Sequence, residues 1–177
     1  MSALHPAAPT LTTERLVLRG PEAGDWPAYR AYRLTPRSTL GGSGGGEAAA
    51  WAQFAALFGH WVLRGFGRFV MVLRTTGAAI GHAGPFHPEG HPEPELTWTL
   101  WSAADEGRGL AFEAASAVRR HVFGDLGWRT AVSYIAPDNA RSARLAERLG
   151  ARPDPAAALP CWAPATVWRH TVPEPGR

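Results

Sequence analysis

The chain contains no lysine. All 18 of its basic residues are arginine, set against 15 acidic residues, for a formal net charge of +3. A nucleic-acid binder usually gathers its basic residues on one face. Here they are scattered, apart from Arg141, Arg144 and Arg148 in one segment. No nucleic-acid partner is expected, and arginine for lysine in a chain rich in Ala, Gly and Pro suggests a GC-rich coding bias. Cysteine is nearly absent too: Cys161 stands alone, which excludes an internal disulfide framework. No Cys/His signature surrounds it, so a semi-buried thiol is expected rather than a nucleophile. Met1–Thr10 has neither a basic n-region nor an apolar h-region, so no secretory signal is expected. The most apolar run, Ala48 to Leu63, is broken by Gln53 and His60 and is too short to span a bilayer. A cytoplasmic protein without a membrane partner is the expectation.

The 177 residues suit one domain with a real core, and no repeat or linker divides them. Strands are expected at Leu16–Leu18, Phe69–Leu73, Ile80–Phe86, Leu96–Trp101, Thr130–Ile135 and Thr166–Val172. Asp25 reads as the N-cap of a short helix to Leu34, ahead of Trp26-Pro27. Arg37–Gly46 reads as a flexible Gly/Ser loop. Glu47–Arg64 reads as a helix with Trp51, Phe54, Phe58, Trp61 and Val62 near one face. Pro85–Pro94 and Asp154–Pro164 read as irregular. These elements make one mixed α/β domain.

The strand-like run Leu96–Trp101 leads through Glu106-Gly107-Arg108-Gly109-Leu110-Ala111 into a helix over Gly109–Phe123. Glycine permits positive φ and a close ligand approach. The helix start offers unpaired N–H groups and the positive end of the macrodipole, and Arg108 adds a full charge. Together they form a cradle for a phosphate ester. A lone Gly-x-Gly is equally compatible with an ordinary turn into a helix. About thirty residues on, Asp138 to Gly150 reads as a helix that Pro137 and Asp138 start and Gly150 stops.

This pair of segments resembles the GNAT superfamily of N-acetyltransferases, in its RimJ/RimL-like branch of protein N-acetyltransferases. Glu106–Ala111 resembles the superfamily's Gln/Arg-x-x-Gly-x-Gly/Ala turn for the coenzyme A pyrophosphate. Asn139–Gly150 resembles the branch's Asn-x-x-Ser-x-x-x-x-Glu-Lys-Leu-Gly-Phe. Glu14–Arg19 resembles the first strand, Glu95-Leu96-Thr97-Trp98 a Glu-Leu-Gly-Tyr run, and Val167-Trp168-Arg169-His170 a closing strand. The resemblance covers roughly residues 12 to 171. Glu106 departs from Gln or Arg and cannot donate to a phosphate. Ala146 stands where many members place a tyrosine general acid, and Ala151 replaces a Phe.

The resemblance implies a mixed, mostly antiparallel sheet flanked by helices, with a V-shaped splay between two central strands that receives acetyl-CoA. It implies direct acetyl transfer to a primary amine, foremost the α-amino group of a protein or peptide. A small-molecule amine is the rival acceptor, and a non-catalytic acyl-CoA-binding module the rival function. The acceptor slot is expected between the 37–46 and 154–164 loops. Gly107, Arg108, Gly109, Leu110 and Ala111 are expected on the pyrophosphate, and the backbone of Thr99, Leu100 and Trp101 on the pantetheine amides. Asn139 is expected on the pantetheine arm and Ser142 at the sulfur, with helix capping as their structural alternative. Glu95 is the candidate base, alternatively a structural carboxylate. His82, His87 and His91 lie near Glu89 and Glu93, but their spacing fits no tight metal template. They are expected to be solvated loop residues, or one of them to help a water accept the amine proton. No metal is expected, and the chain is expected to be a monomer or homodimer.

Overall fold

A computed structural model describes residues 8–41, 46–160 and 164–172. Its eight strands are β1 (Leu11–Thr12), β2 (Leu16–Arg19), β3 (Phe69–Leu73), β4 (Ala79–Phe86), β5 (Glu95–Leu100), β6 (Thr130–Ile135), β7 (Arg152–Pro153) and β8 (Thr166–Thr171). They form one sheet in the order β1-β2-β3-β4-β5-β6-β8-β7. Every pairing is antiparallel except β5 with β6, which is parallel. The helices are α1 (Trp26–Arg33), α2 (Gly46–Arg64), α3 (Leu110–Gly124) and α4 (Ala140–Arg148).

The period of two in the strands assigns the faces. Leu16, Leu18, Phe69, Met71, Ala83 and Leu96 point to one side and pack with Leu110, Ala114, Val118 and Val122 of α3. Alanines at 114, 115 and 117 let α3 lie close against the sheet. On the other side Val70 meets Tyr29, Tyr32, Phe54, Leu57 and Trp101 under α1 and α2.

Several local expectations change. Asp25 occupies the N-cap position of α1, but its side chain makes no cap bond there. The carboxylate turns back to Arg19 at 2.7 and 2.9 Å and to the Glu22 amide at 2.8 Å, because an inward-facing arginine outcompetes an exposed helix end. In α2 the buried stripe is Ala50, Phe54, Leu57, His60 and Trp61, while Trp51 and Val62 are about half exposed (54% and 47%). Sequence spacing placed both on the apolar face; instead Trp51 packs edge-on against Trp26 at 4.9 Å. Residues 36–41 form a 3₁₀ turn rather than an open loop, and the buried Ser38 hydroxyl shares its one proton between the Arg33 and Thr35 carbonyls. Gly46 of the expected 37–46 loop instead opens α2, while residues 42–45 and Cys161 fall outside the described residues.

Candidate active site

Strands β5 and β6 run side by side and then part. Glu95↔Val132 is the one register pair that joins them, backed by the Val132 amide donating to the Pro94 carbonyl at 2.9 Å. Where they separate, Ser133 Oγ donates to the Leu96 carbonyl at 2.6 Å and lies 3.0 Å from His170 Nε2. The hydroxyl has one proton, so the Nε2–H of His170 donates to it. Burial pushes His170 down to about 4, which keeps the ring neutral. This buried pair pins the vertex of a V.

Beyond the vertex, the edge of β5 that faces β6 is open. The Trp101 amide donates to Ile80 on β4 at 2.8 Å. Backbone direction alternates along a strand, so Thr99 also turns its amide and carbonyl to β4, while Trp98 and Leu100 turn theirs into the V. Of the three residues expected to pair with pantetheine amides, Leu100 is placed to do so. Trp101 and Thr99 face β4 instead, and Trp98 is the other residue whose backbone faces the V.

The turn after β5 enters α3 through Gly107 (φ +71°) and Gly109 (φ +76°). Gly109 is the N-cap, so no side chain covers the amides of the first turn at Leu110 and Ala111. That turn opens onto a groove lined by Arg15, Phe112, Arg120 and Arg148. Arg108 is half exposed and donates to Asp105 at 2.8 Å, which aims it along the turn. The bare helix start, the left-handed glycines and the open strand edge fit coenzyme A, an extended amide chain ending in phosphates.

Known proteins agree with this geometry. The family model for the acetyltransferase (GNAT) domain matches residues 15–152. The chain belongs to the GNAT acetyltransferase family. An acetyltransferase from Agrobacterium tumefaciens str. C58 is 39% identical over 97% of this chain and 99% of that one, with a TM-score of 0.86. The same fold occurs in the ribosomal L7/L12 α-N-protein acetyltransferase RimL in complex with coenzyme A, at 15% identity, TM-score 0.72, and 93% and 98% coverage. It occurs also in the ribosomal-protein-S5-alanine acetyltransferase from Vibrio fischeri, at 14% identity, TM-score 0.71, and 94% and 98% coverage. GNAT enzymes transfer an acetyl group, and this chain is an N-acetyltransferase of that family.

Glu95 opens β5 at the vertex of this GNAT sheet, on the face under α1 and α2. Its side chain is 12% exposed, and burial pushes its carboxyl up to about 8, against the weaker opposing pull of the Tyr134 amide at 3.4 Å and of the Arg68 charge. His91 Nδ1 stands 3.7 Å from Glu95 Oε2, yet burial holds His91 down at about 4. Between those two values both groups are neutral, so the contact is not an ion pair.

His87 and His91 do lie in the loop after β4, partly buried, with His87 Nε2 3.2 Å from the His91 carbonyl oxygen, but His82 is no loop residue. His82 lies in β4, 5% exposed, where its Nδ1 accepts the Trp101 indole N–H at 2.9 Å. Burial first and the field of Arg68 second hold it neutral, so it has no free basic nitrogen at Nδ1 to take an amine proton. The His91 ring packs edge-on to Phe86. Among the described residues no group of three metal-ligating side chains converges.

On α4, Asn139 is the N-cap and its Oδ1 accepts the Ser142 amide at 3.1 Å, which fixes the side chain and leaves its NH₂ as the donor toward a ligand. Ser142 lies too far along to cap. Its Oγ lies 3.4 Å from Trp98 Nε1, beside the open edge of β5, and accepts from it while keeping its own proton to donate. Ala146 is fully buried against Ile135 and Ala151, so the usual tyrosine position carries no proton donor. Glu106 is ion-paired to both Arg37 and Arg141. Arg37 also reaches the Leu100 carbonyl at 3.4 Å, so this cluster spans the mouth of the V.

Sequence reading missed Arg37 and Arg68. Neither lies in a motif. The strand parity that puts Arg68 on the face of His82 and Glu95 was the one available signal.

Proposed function

We propose that this enzyme transfers acetyl from acetyl-CoA directly to the α-amino group of a protein or peptide, as a member of the RimJ/RimL-like branch. The observation that carries this is Glu95, a buried carboxyl held at about 8 beside the splay. An α-amino group has a pKa of about 7.7–8.0 and a lysine about 10.4. A base near 8 takes a proton from an α-ammonium with almost no free-energy difference; from a lysine the mismatch is worth about 3 kcal/mol. RimL, an α-N-protein acetyltransferase with the same fold, supports the same acceptor class.

In this reading Gly107, Gly109 and the Leu110–Ala111 amides hold the pyrophosphate with Arg108, and the backbone of Trp98 and Leu100 orients the pantetheine arm. Acetyl-CoA supplies the activated acyl group. Glu95 receives the amine proton, and Ser142 Oγ donates toward the sulfur. The test is thiol release with two peptides: one with a free N-terminus and no lysine, one blocked at the N-terminus and carrying lysine. The free N-terminus is expected to be strongly preferred, and preference for the blocked lysine peptide refutes the reading. The buried Ala146 keeps a second reading, an acyl-CoA-binding module; binding without thioester consumption by any amine would select it.

Glu106 supplies a further expectation. Its bond to Arg37 foremost, with Arg141, holds its carboxyl below the usual range. It neutralises two cations at the mouth of the phosphate site. Glu106→Gln should lower the ligand-free Tm slightly, since part-exposed pairs contribute about 0–1 kcal/mol each. Coenzyme A affinity should rise by roughly three- to tenfold, most at low salt. Calorimetry checks both; weaker binding by the variant would show that Glu106 positions the arginines for the ligand instead.

A further inference from the structure

The face of the sheet under α1 and α2 contains a cation, Arg68, for which no carboxylate partner is found among the described residues. Arg68 precedes β3, and the Phe69↔Ala83 register sets it opposite Gly84 on β4, on the face shared by His82, Phe86 and Glu95. Its guanidinium carbon lies 4.2 Å from the centre of the Phe86 ring, and Phe86 is the cross-strand partner of Glu95. Gly84 is needed there, since a Cβ would come within 2.6 Å of the Arg68 Cα. The side chain is only partly exposed.

Eight other arginines of this chain have carboxylate partners: 15, 19, 30, 37, 64, 108, 141 and 169. Carboxylates are therefore not scarce. The guanidinium of Arg68 makes no ion pair and no hydrogen bond among the described residues. Glu95, on β5 and separated from Arg68 by the intervening β4, is too buried to ionise below about 8 and so does not balance it. Burial raises the Tyr29 and Tyr32 hydroxyls, which stay neutral as well. The field of Arg68 in turn helps to keep His60, His82 and His91 uncharged. A desolvated cation without a counterion is unfavourable unless a ligand brings one. A bare ammonium entering this slot would be repelled. An ammonium that carries its own anion would not.

We propose that Arg68 selects the acceptor: a primary amine with a carboxylate or phosphate close to it, the anion seated on Arg68 while the amine meets Glu95. This rests on the α-amine reading and adds the chemistry of the rest of the molecule. The Arg68 guanidinium reaches across to the Phe86 ring, and Phe86 is directly opposed to Glu95 on the adjacent strand, where Cβ atoms stand about 5 Å apart, so amine and anion are separated by about one residue's length. Two sources have this shape: a chain beginning with an acidic or phosphorylated residue, and a free amino acid.

The experiment uses the full chain with acetyl-CoA. Peptides with free N-termini differ only at the first residue, Asp against Asn and Glu against Gln, and free aspartate is run beside its amides. Wild type should favour the acidic member by about tenfold or more in kcat/KM, mainly through KM. Arg68→Gln should erase that preference while keeping or improving turnover of the amide peptides. Arg68→Lys, which keeps the charge without the planar fork, should retain part of it. Peptide turnover without amino-acid turnover, or the reverse, identifies the source. Efficient turnover of free N-termini with no acidic preference overturns the proposal and leaves the α-amine reading standing. If no α-amine is acetylated, that reading fails, and Arg68 is judged by equilibrium binding of the N-acetylated acidic peptide with coenzyme A. Equal affinity for wild type and Arg68→Gln then overturns the proposal, and selective loss in the variant upholds it.

Discussion

Glu95→Gln should make the protein more stable at pH 8.5 than wild type and slow its reaction by about 10²–10⁴-fold. The two effects have one origin. Unfolded, Glu95 titrates near its ordinary 4.5; folded, burial raises it to about 8. The folded state therefore binds the proton more tightly, and its stability falls as pH rises from about 4.5 to about 8, the reverse of a salt-bridged carboxylate. The whole shift is worth on the order of 5 kcal/mol. The buried histidines act in the opposite direction. His60, His82, His91 and His170 are all lowered from 6.5, so they add stability with rising pH up to about 6.5 and nothing above it. Between pH 6.5 and 8 the contribution of Glu95 is exposed, on the order of 2 kcal/mol, or about 4–8 °C in Tm for a chain of this size. Thermal melts at pH 6.5 and 8.5 should show wild type losing that amount and Glu95→Gln holding steady. Parallel curves would mean that Glu95 ionises normally and is no matched base. In kinetics, wild-type kcat/KM should rise through about 8, and the variant should recover part of its loss as the amine deprotonates unaided.

Most of the strands, the glycine turn into α3 and the place of Glu95 at the start of β5 were legible in the sequence because each is written locally, whereas the sheet's mixed topology came from the family resemblance. Glycines at 107 and 109 permit positive φ, and both adopt it. Strand alternation around Leu96 and Val132 forces the faces. What stayed hidden depends on partners distant in the chain. That Trp101 donates to Ile80, and so turns Thr99 away from the V, follows from register across β4 and β5, which no spacing within 96–101 encodes. Glu106 read as a lost phosphate donor because its two arginines lie 69 and 35 residues away. His82 read as solvated, alongside His87 and His91, although it lies in the expected strand Ile80–Phe86; an indole 19 residues on makes it a buried, neutral acceptor. Arg68 escaped because what marks it is the lack of a counterion among the described residues, and only the assembled face shows that.

Gly109→Val should abolish coenzyme A binding at concentrations that saturate wild type, and Gly107→Ala should not. Both glycines sit in the left-handed region, at φ +71° and +76°. Any side chain there costs about 1–2 kcal/mol of backbone strain, more for a β-branched one. Sterics inside the protein do not separate the two: a Cβ at 107 meets nothing within 4 Å, and one at 109 meets only the end of the Arg15 side chain at 3.4 Å. Each variant should therefore fold, with Tm lowered by about 2–8 °C, since 1 kcal/mol corresponds to roughly 2–4 °C at this size. The difference lies in what stands in front of them. Gly109 caps α3 and borders the first-turn amides, where a phosphate must come within hydrogen-bond distance, about 2.9 Å. A branched side chain at that position stands in the approach. Gly109→Ala measures the strain with less obstruction and should fall between, losing about tenfold in affinity. Calorimetric titration of coenzyme A into the four proteins, beside their ligand-free melts, separates fold from site. If Gly109→Val melts within the expected range and still binds coenzyme A as wild type does, the pyrophosphate does not lie on the start of α3.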